Sequence, residues 1–223
     1  MSVKIINSNK GLMLSDGKLK HIVDFSTNSF LYRCNKITQK TEKLLQAFKI
    51  PPSNNHYSIL DITAGFATDG FLLACQGAEV TLLENNLIVY QAVNDAIQRL
   101  QTTQNLQTII NRLKIIYIDS RDFLEKCIAN KRQYNAIYID PMFPVKGKTS
   151  KAKKELQLLQ KLITNNTLSY DNISQINDII KLAKQVVMEK IVIKAPKQLN
   201  KISDFQENYC IYGKTCCFYV YLK

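Results

Sequence analysis

Hydrophobic runs of strand length alternate with amphipathic runs of helix length over most of the chain from Tyr57 onward. In chain order these runs are "SILDI", "DGFLLACQG", "AEVTLLE", "NLIVYQAVNDAIQRLQ", "LKIIYID", "SRDFLEKCI" and "YNAIYID". Strands and helices that alternate in this way build a parallel sheet that is covered by helices on both faces. The pattern therefore predicts an α/β fold with a mostly parallel sheet.

The pattern changes in the last third of the chain. It indicates a helix at "NISQINDIIKLAKQVV" and a strand at "KIVIKA", followed by the two apolar runs "ENYCIYG" and "TCCFYVYLK". Little more than Gly213 and Lys214 separates these two runs. Such a short connection favours an antiparallel hairpin, which we expect at one edge of the sheet.

The first fifty residues have a different organisation. "LMLSDGKLKHIVDF" predicts two short strands around the turn "SDGK", in which Gly17 supplies the backbone angles of a tight hairpin. "TQKTEKLLQAFKI" has helical spacing and stops before "PPSNN". We therefore predict an accessory hairpin and helix over residues 1–52 and a main domain over residues 53–223.

Composition limits the class of protein. The 223 residues, 46% of them hydrophobic, are enough for one sizeable core. We find no apolar run of eighteen residues and no basic leader followed by an apolar run, so we expect neither a membrane span nor secretion, and a cytoplasmic location. Six cysteines without a C-x-x-C pair favour buried free thiols over a metal site. The net charge of +12 favours a polyanionic partner, although a lysine-rich proteome would give the same excess.

Polar residues follow three successive predicted strands. Asp61 and Gly65 belong to the strand-to-helix turn "LDITAGFATDG", Glu84 closes the next strand, and Asp119 and Ser120 follow the third. Ligands of such sheets bind beyond the carboxyl ends of the strands. A carboxylate at the position of Glu84 suits ribose hydroxyls, and the Asp119-Ser120 pair suits an adenine edge. Each feature is also typical of turns and helix caps, but together they predict a bound nucleoside.

A fourth strand end carries the stiff loop "DPMFP". Asp140 ends the strand, Pro141 offers a carbonyl, and Phe143 lies three residues after Asp140. A carboxylate and a carbonyl can accept both N–H groups of an exocyclic amine while an aromatic ring stacks on the base. This arrangement predicts methylation of a base amine, although Phe143 in the core of a proline-stiffened loop is the alternative.

These motifs resemble class I S-adenosylmethionine methyltransferases. More closely, "VDF", "LDITAGFATDGFLLA", "VTLLENN", "YIDPMFP", "KKELQLLQKLI" and "IVIKAP" resemble the small-subunit (16S) ribosomal RNA guanine-N2 methyltransferase family known as RsmJ. The resemblance implies a Rossmann-like methyltransferase fold, S-adenosylmethionine as cofactor with S-adenosylhomocysteine as product, and ribosomal RNA or a ribosomal particle as partner. The cofactor positions that it implies are Thr68, Asp69, Glu84, Asn85, Asp119, Ser120 and Asp140. The chain departs from the family pattern at Ala67, where a glycine is usual, and at Thr68 and Ala195, where an arginine is usual. It also has "KITQK" where the family has a glycine-rich basic loop that is implied to contact RNA.

A basic stretch, "KGKTSKAKKE", follows the proposed catalytic loop. Charge runs are usually solvated faces, but phosphates that flank a target base would pass here. The predicted RNA contacts are Lys146, Lys148, Lys151, Lys153, Lys154 and, at the end of the strand "KIVIK", Lys194.

Three other functions share some of these features. Adenine N6 and cytosine N4 suit the same loop chemistry, and only the resemblance favours guanine. A nicotinamide-dependent oxidoreductase would need the spaced glycines that "AGFATDG" lacks. A noncatalytic RNA-binding module would have no use for the strand-end acids.

Overall fold

The computed structural model describes residues 2–52, 56–101, 103–141, 154–162, 173–197, 199 and 201–223. Within these ranges the strands are β1 (Lys4–Ser8), β2 (Gly11–Ser15), β3 (Lys20–Ile22), β4 (Ser58–Asp61), β5 (Glu79–Glu84), β6 (Leu113–Tyr117), β7 (Tyr134–Ile139), β8 (Val187–Pro196), β9 (Tyr209–Tyr212) and β10 (Cys216–Leu222). The α-helices are α1 (Asn28–Lys36), α2 (Lys43–Phe48), α3 (Thr68–Cys75), α4 (Leu87–Leu100), α5 (Gln107–Ile110), α6 (Ser120–Ala129), α7 (Lys154–Leu162) and α8 (Ile173–Val186).

The main sheet has seven strands in the order β6-β5-β4-β7-β8-β10-β9. The first five strands pair in parallel, while β10 pairs antiparallel with both β8 and β9. The prediction of a mostly parallel sheet with an antiparallel C-terminal hairpin at one edge is therefore confirmed. Strand β4 lies between β5 and β7, so Asp61 at its carboxyl end is opposite Leu82 on one side and Tyr138 on the other.

Both faces of the sheet are apolar because alternate strand residues point to opposite sides. Ile59 contributes to the cluster that also contains Phe71 of α3, and the next residue, Leu60, contributes to the cluster beneath α6 and α8. The continuous apolar runs of the sequence therefore reflect a sheet buried on both faces.

The first residues form a separate three-stranded antiparallel sheet in the order β1-β2-β3. The predicted hairpin is the β2–β3 pair, with Gly17 at φ 92° in its turn, whereas β1 was not predicted. This sheet packs on α4, where Asp95 accepts the Leu12 N–H at 3.0 Å and the Arg99 side chain at 2.8 Å. The predicted boundary between residues 52 and 53 stays a prediction.

Helix α7 connects the small sheet to the edge of the main sheet. Its Leu158 is buried, and Lys161 forms an ion pair with Asp16 in the β2–β3 turn. At its carboxyl end the Leu162 carbonyl accepts the Asn86 side-chain amide at 2.9 Å. The helix is thereby fixed above the turn that follows β4.

The six cysteines are free thiols; Cys34, Cys127 and Cys217 are buried, and the other three are half-buried. Among the helices described, none combines the length and apolar character that crossing a membrane requires.

Candidate active site

The predicted strand-end residues meet at one edge of the sheet because the strands that carry them are parallel neighbours. Three hydrogen bonds connect these ends. The Asp140 N–H donates to Thr63 Oγ1 at 2.6 Å, Ser120 Oγ donates to the Ile62 carbonyl at 2.5 Å, and Asn85 Nδ2 donates to Asp119 Oδ2 at 3.5 Å. The ends of β4, β5, β6 and β7 therefore form one connected rim.

Glu84 holds the turn after β4 against the end of β5. Its carboxylate accepts the Gly65 N–H at 3.0 Å and the Asn86 N–H at 2.7 Å. Burial raises the pKa of Glu84 to about 7, although these N–H groups oppose the shift. The carboxylate is half-buried and retains lone pairs for further donors, as ribose hydroxyls would require.

The same turn brings the backbone of α3 close to the sheet. Gly65 has φ 51°, and Ala67, which precedes the helix, has φ 56° and ψ 21°. This left-handed conformation costs about 1–2 kcal/mol for a residue with a side chain, so a glycine would adopt it with less strain than Ala67. A Cβ on Gly70 would lie 2.4 Å from Leu82 Cδ2, so only glycine permits the observed distance between α3 and β5.

Asp119 is the N-cap of α6, where its side chain accepts the Arg121 N–H at 2.8 Å. The Ser120 hydroxyl is used within the protein, since it donates to the Ile62 carbonyl. The Ser120 N–H belongs to the first helical turn and has no acceptor within the helix. An adenine edge at this position would therefore meet the Asp119 carboxylate and the Ser120 backbone rather than the hydroxyl.

Lys194 joins two of the predicted acids. Its Nζ lies 2.8 Å from Asp69 Oδ2 and 2.8 Å from Asp140 Oδ2, and the buried Tyr138 hydroxyl donates to Asp69 at 2.7 Å. The sequence indicated Lys194 as an RNA contact near the opening. The structure directs its ammonium at two carboxylates, and the phosphate contact of Lys194 stays a prediction.

The carboxyl groups of this cluster differ in protonation. Burial raises the pKa of Asp61 to about 8, so this side chain is largely protonated at pH 7. Burial also raises the pKa of Asp140, against the effect of Lys194. Burial opposes ionisation of Asp69 as well, but Lys194 and Tyr138 hold its pKa below the ordinary value. Burial would lower the pKa of Lys194, and the charges of Asp140 and Asp69 outweigh it and raise that pKa.

A family model described as "Putative SAM-dependent methyltransferase" matches residues 2–223. The chain belongs to this family. Proteins named ribosomal RNA small subunit methyltransferase J are 31% identical to this methyltransferase: the one from Francisella tularensis subsp. holarctica over 213 residues (96% of this chain and 84% of the relative), and the one from Thioalkalivibrio sulfidiphilus over 200 residues (90% and 75%).

The methyltransferase fold is also seen in a crystal structure. A SAM-dependent methyltransferase from Neisseria gonorrhoeae superimposes with a TM-score of 0.74 over 99% of this chain and 83% of that chain, at 21% sequence identity. The predicted fold class is thus confirmed by both the topology and this likeness.

The donor set of this methyltransferase fits S-adenosylmethionine, the cofactor of its family. The molecule carries two hydroxyls on its ribose, an adenine edge, and cationic ammonium and sulfonium groups. Glu84, Asp119 and the Asp69-Asp140 pair place carboxylates along the rim, and Gly65 adds no side chain to the turn between them.

Several predicted residues lie outside the described part of the chain. They are Phe143, Lys146, Lys148, Lys151 and Lys153; for Lys154, which begins α7, the side chain is also outside it. Pro141 is described and is buried directly after Asp140.

Proposed function

We propose that this methyltransferase transfers a methyl group from S-adenosylmethionine to the exocyclic N2 amine of a guanine in small-subunit ribosomal RNA. The observation that carries the proposal is the position of Asp140: it directly follows β7 and precedes the buried Pro141, on the same rim as Glu84 and Asp119. The Asp140 carboxylate could therefore accept a hydrogen bond from an amine beside the edge that binds a nucleoside. The names of the 31% identical relatives support the RNA substrate.

The cofactor would lie along the rim. Glu84 would accept the ribose hydroxyls, Asp119 and the Ser120 N–H would bind the adenine edge, and Thr68 and Asp69 would border the methionine end. Asn85, whose amide donates to Asp119, would position that carboxylate. Asp61 would act through its contact with the Thr63 N–H at 3.0 Å, by which it shapes the turn rather than the ligand.

S-adenosylmethionine supplies an electrophilic methyl group on a sulfonium. The guanine N2 lone pair is delocalised into the ring, so positioning contributes more than a strong base. Asp140 would accept one N–H of the amine and the Pro141 carbonyl the other. Once methylated, N2 would lose a proton, which Asp140 or water would accept, and S-adenosylhomocysteine would be the leaving product. The raised pKa of Asp140 suits a proton acceptor, and Lys194 would fix its orientation.

The remaining roles rest on the sequence. Phe143 would stack on the target base, and the lysines at 146, 148, 151, 153 and 154 would contact flanking phosphates. Residues 1–52 would form an accessory element of the catalytic domain at 53–223. The reaction would take place in the cytoplasm, on naked RNA or on an assembling particle.

One experiment tests the base and the substrate together. The protein is incubated with labelled S-adenosylmethionine and small-subunit RNA or particles that lack modification, and the product nucleoside is identified by mass spectrometry. We expect N2-methylguanosine, with activity nearly abolished in Asp140→Ala. N6-methyladenosine or N4-methylcytosine would contradict the base assignment, and an unlabelled RNA would contradict the function.

The role of Glu84 has a separate test. Because hydrogen bonds to a carboxylate contribute on the order of 1.5–3 kcal/mol, Glu84→Ala should weaken cofactor binding about ten-fold or more. Calorimetric titration measures the affinity, and Glu84→Gln keeps the acceptor oxygen as a matched variant. An unchanged affinity in folded Glu84→Ala protein would place the ribose elsewhere.

A further inference from the structure

A second cavity lies beside the rim, between the small sheet and the turn after β4. Its volume is about 370 Å³, and its walls come from the end of β3, the first turns of α1, the residues around the start of α3 and Glu155 of α7. Its lining includes the carboxyl groups of Asp24 and Glu155. This volume falls within the range of roughly 300–1,000 Å³ that is typical of small-ligand sites. The residues that matter for its chemistry are His21, Phe25, Phe30, Arg33, Phe66 and Thr68, and we call the cavity the His21 pocket.

The pocket contains an aromatic platform. The rings of His21 and Phe66 are 4.9 Å apart at an interplanar angle of 38°, and both side chains are only half-buried. Behind them Phe25 is stacked on Phe71 at 4.5 Å and 19°, which fixes one wall. Partly exposed rings on a fixed wall are the usual stacking surface for an unpaired nucleobase.

The His21 ring is suited to stacking for a second reason. Burial lowers the pKa of His21, although the charge of Glu155 opposes the shift. The imidazole is therefore neutral at pH 7, and a neutral ring packs against a base without the hydration of a cation.

A cation stands at the rim of the pocket. Arg33 pairs with Glu42 at 2.9 Å, and 43% of its side-chain surface is exposed. Exposed ion pairs contribute little stability, so this guanidinium can exchange its partner for a phosphate at low cost. Arginine suits phosphates because its planar fork donates two parallel hydrogen bonds.

The pocket adjoins the start of α3, which also borders the active site. Thr68 lines the pocket and begins α3, and the next residue, Asp69, is joined through Lys194 to Asp140. A nucleotide in the pocket would therefore lie on the side of the active site that α3 begins, where a neighbour of the target base could bind.

We infer that the His21 pocket holds an unpaired base adjacent in the RNA to the methylated guanine, stacked on the surface that the contacting rings of His21 and Phe66 form together, with its phosphate on Arg33. This inference rests on the proposed function, since it requires RNA as the substrate. It adds a substrate subsite that residues 21–33 of the accessory element build together with Phe66 and Thr68.

The test removes both rings while keeping apolar volume. In the double variant His21→Leu/Phe66→Leu, we expect affinity for unmodified small-subunit RNA, transcribed in vitro, to fall about ten-fold, because stacking of one base contributes about 1–3 kcal/mol. Affinity for S-adenosylmethionine, measured by calorimetry, should change less than two-fold, which also shows that the variant is folded. The matched control is Tyr90→Leu/Tyr117→Leu, which removes another tilted ring pair, 5.6 Å apart at 42°, and should bind RNA as the wild type does.

The possible results separate this inference from the proposed function. Wild-type methylation of RNA with unchanged RNA affinity in the double variant would overturn the subsite alone. Equal losses of RNA affinity in the double variant and the tyrosine control would overturn the subsite as well. A loss of cofactor affinity in the double variant would assign the pocket to the methionine end of S-adenosylmethionine instead. A wild-type protein that neither binds nor methylates RNA would overturn both proposals. In addition, irradiation of 4-thiouridine-substituted RNA should crosslink to peptides containing His21 or Phe66.

Discussion

At the scale of single residues, the site depends on how one cation is shared. Lys194 and the two carboxylates that it contacts are each about a quarter exposed, so their charges are only partly screened by water. The third acid, Asp61, lies deeper and keeps its proton at neutral pH. Four titratable groups thus occupy one edge of the sheet without a large excess of negative charge.

Removing the ammonium should impair catalysis. In Lys194→Met, Asp69 and Asp140 lose their common partner, so Asp140 is no longer oriented and its pKa rises further. We expect methyl transfer to fall about ten-fold or more, and the acidic limb of the pH–rate profile to move to higher pH. The control, Lys201→Met, removes an exposed ion pair with Asp204 and should leave the rate and the pH–rate profile unchanged. A lower rate with an unshifted profile would mean that Lys194 supports the structure only.

The protonated Asp61 should make stability depend on pH. Its pKa in the folded protein, about 8, lies above the ordinary value of 3.8, so between these values the folded state binds more protons than the unfolded state. The free energy of unfolding contributed by this group therefore falls as pH rises, by up to about 1.4 kcal/mol per pH unit. Asp61→Asn removes the titration, and urea unfolding from pH 5 to 8 should show the variant gaining stability relative to wild type with each step. A constant difference would contradict the assignment.

At the scale of elements, the close packing of α3 on β5 sets the shape of the rim. Gly70 has no side chain to separate the helix from Leu82, and the helix start carries Thr68 and Asp69 towards the cofactor edge. The same contact fixes the turn that Glu84 holds through the Gly65 N–H. Helix position and cofactor geometry are therefore linked.

A side chain at the contact between Gly70 and Leu82 should lower both the stability of the protein and its affinity for the cofactor. Alanine favours helices by about 1 kcal/mol over glycine, but a Cβ 2.4 Å from a buried leucine forces displacement, so Gly70→Ala should lower the free energy of unfolding by about 1–3 kcal/mol. Denaturant titration measures this loss, and cofactor binding should weaken in parallel. In the double variant Gly70→Ala/Leu82→Val, the shorter valine side chain makes room for the added Cβ. This variant should regain part of the lost stability and part of the lost cofactor affinity. If Gly70→Ala proves as stable as wild type, the close contact between α3 and β5 does not require glycine at this position.

The elements that could be predicted from the sequence are those that a short, local pattern of residues determines. The β2–β3 turn contains Gly17, and strands β4 to β7 of the main sheet are apolar runs that end in an acid or are followed by one within two residues. Helix α1 was missed because it buries only Cys34, has no acidic residue in its first turn and lacks a side-chain N-cap bond. The pairings of Lys194 were missed for another reason: they join residues 125 and 54 positions apart, and no local pattern encodes them.

At the scale of the whole molecule, the charge distribution separates two surfaces. The net charge is +12, yet four acids, Asp69, Glu84, Asp119 and Asp140, lie along the cofactor rim. Basic residues must therefore predominate elsewhere, and the stretch "KGKTSKAKKE" follows directly on the catalytic loop in sequence. This division suits an enzyme that binds a cationic cofactor at an acidic edge and a polyanion beside it.

The basic stretch should determine how RNA binding responds to salt. Each phosphate contact that is lost reduces the slope of log affinity against log salt by about one unit. Replacing Lys151, Lys153 and Lys154 with Ala should weaken RNA binding and reduce the slope of its salt dependence. The affinity for the cofactor should stay near that of the wild type. The control removes the exposed Lys114, Lys126 and Lys131, which lie towards the opposite edge of the sheet, where β6 begins and α6 ends. A wild-type slope in the first variant, or an equal change in the control, would place the RNA elsewhere.

The position of Lys194 on β8 also has a consequence for folding. Asp61, Asp69 and Asp140 are brought together when β4 pairs with β7, but their cation arrives only with β8, which is translated later and docks on the far side of β7. A nascent chain that has not reached β8 would hold acids in proximity without a counter-charge, and their repulsion would oppose early docking of β7. The cluster thus favours formation of the cofactor edge only after the C-terminal strands have been synthesised.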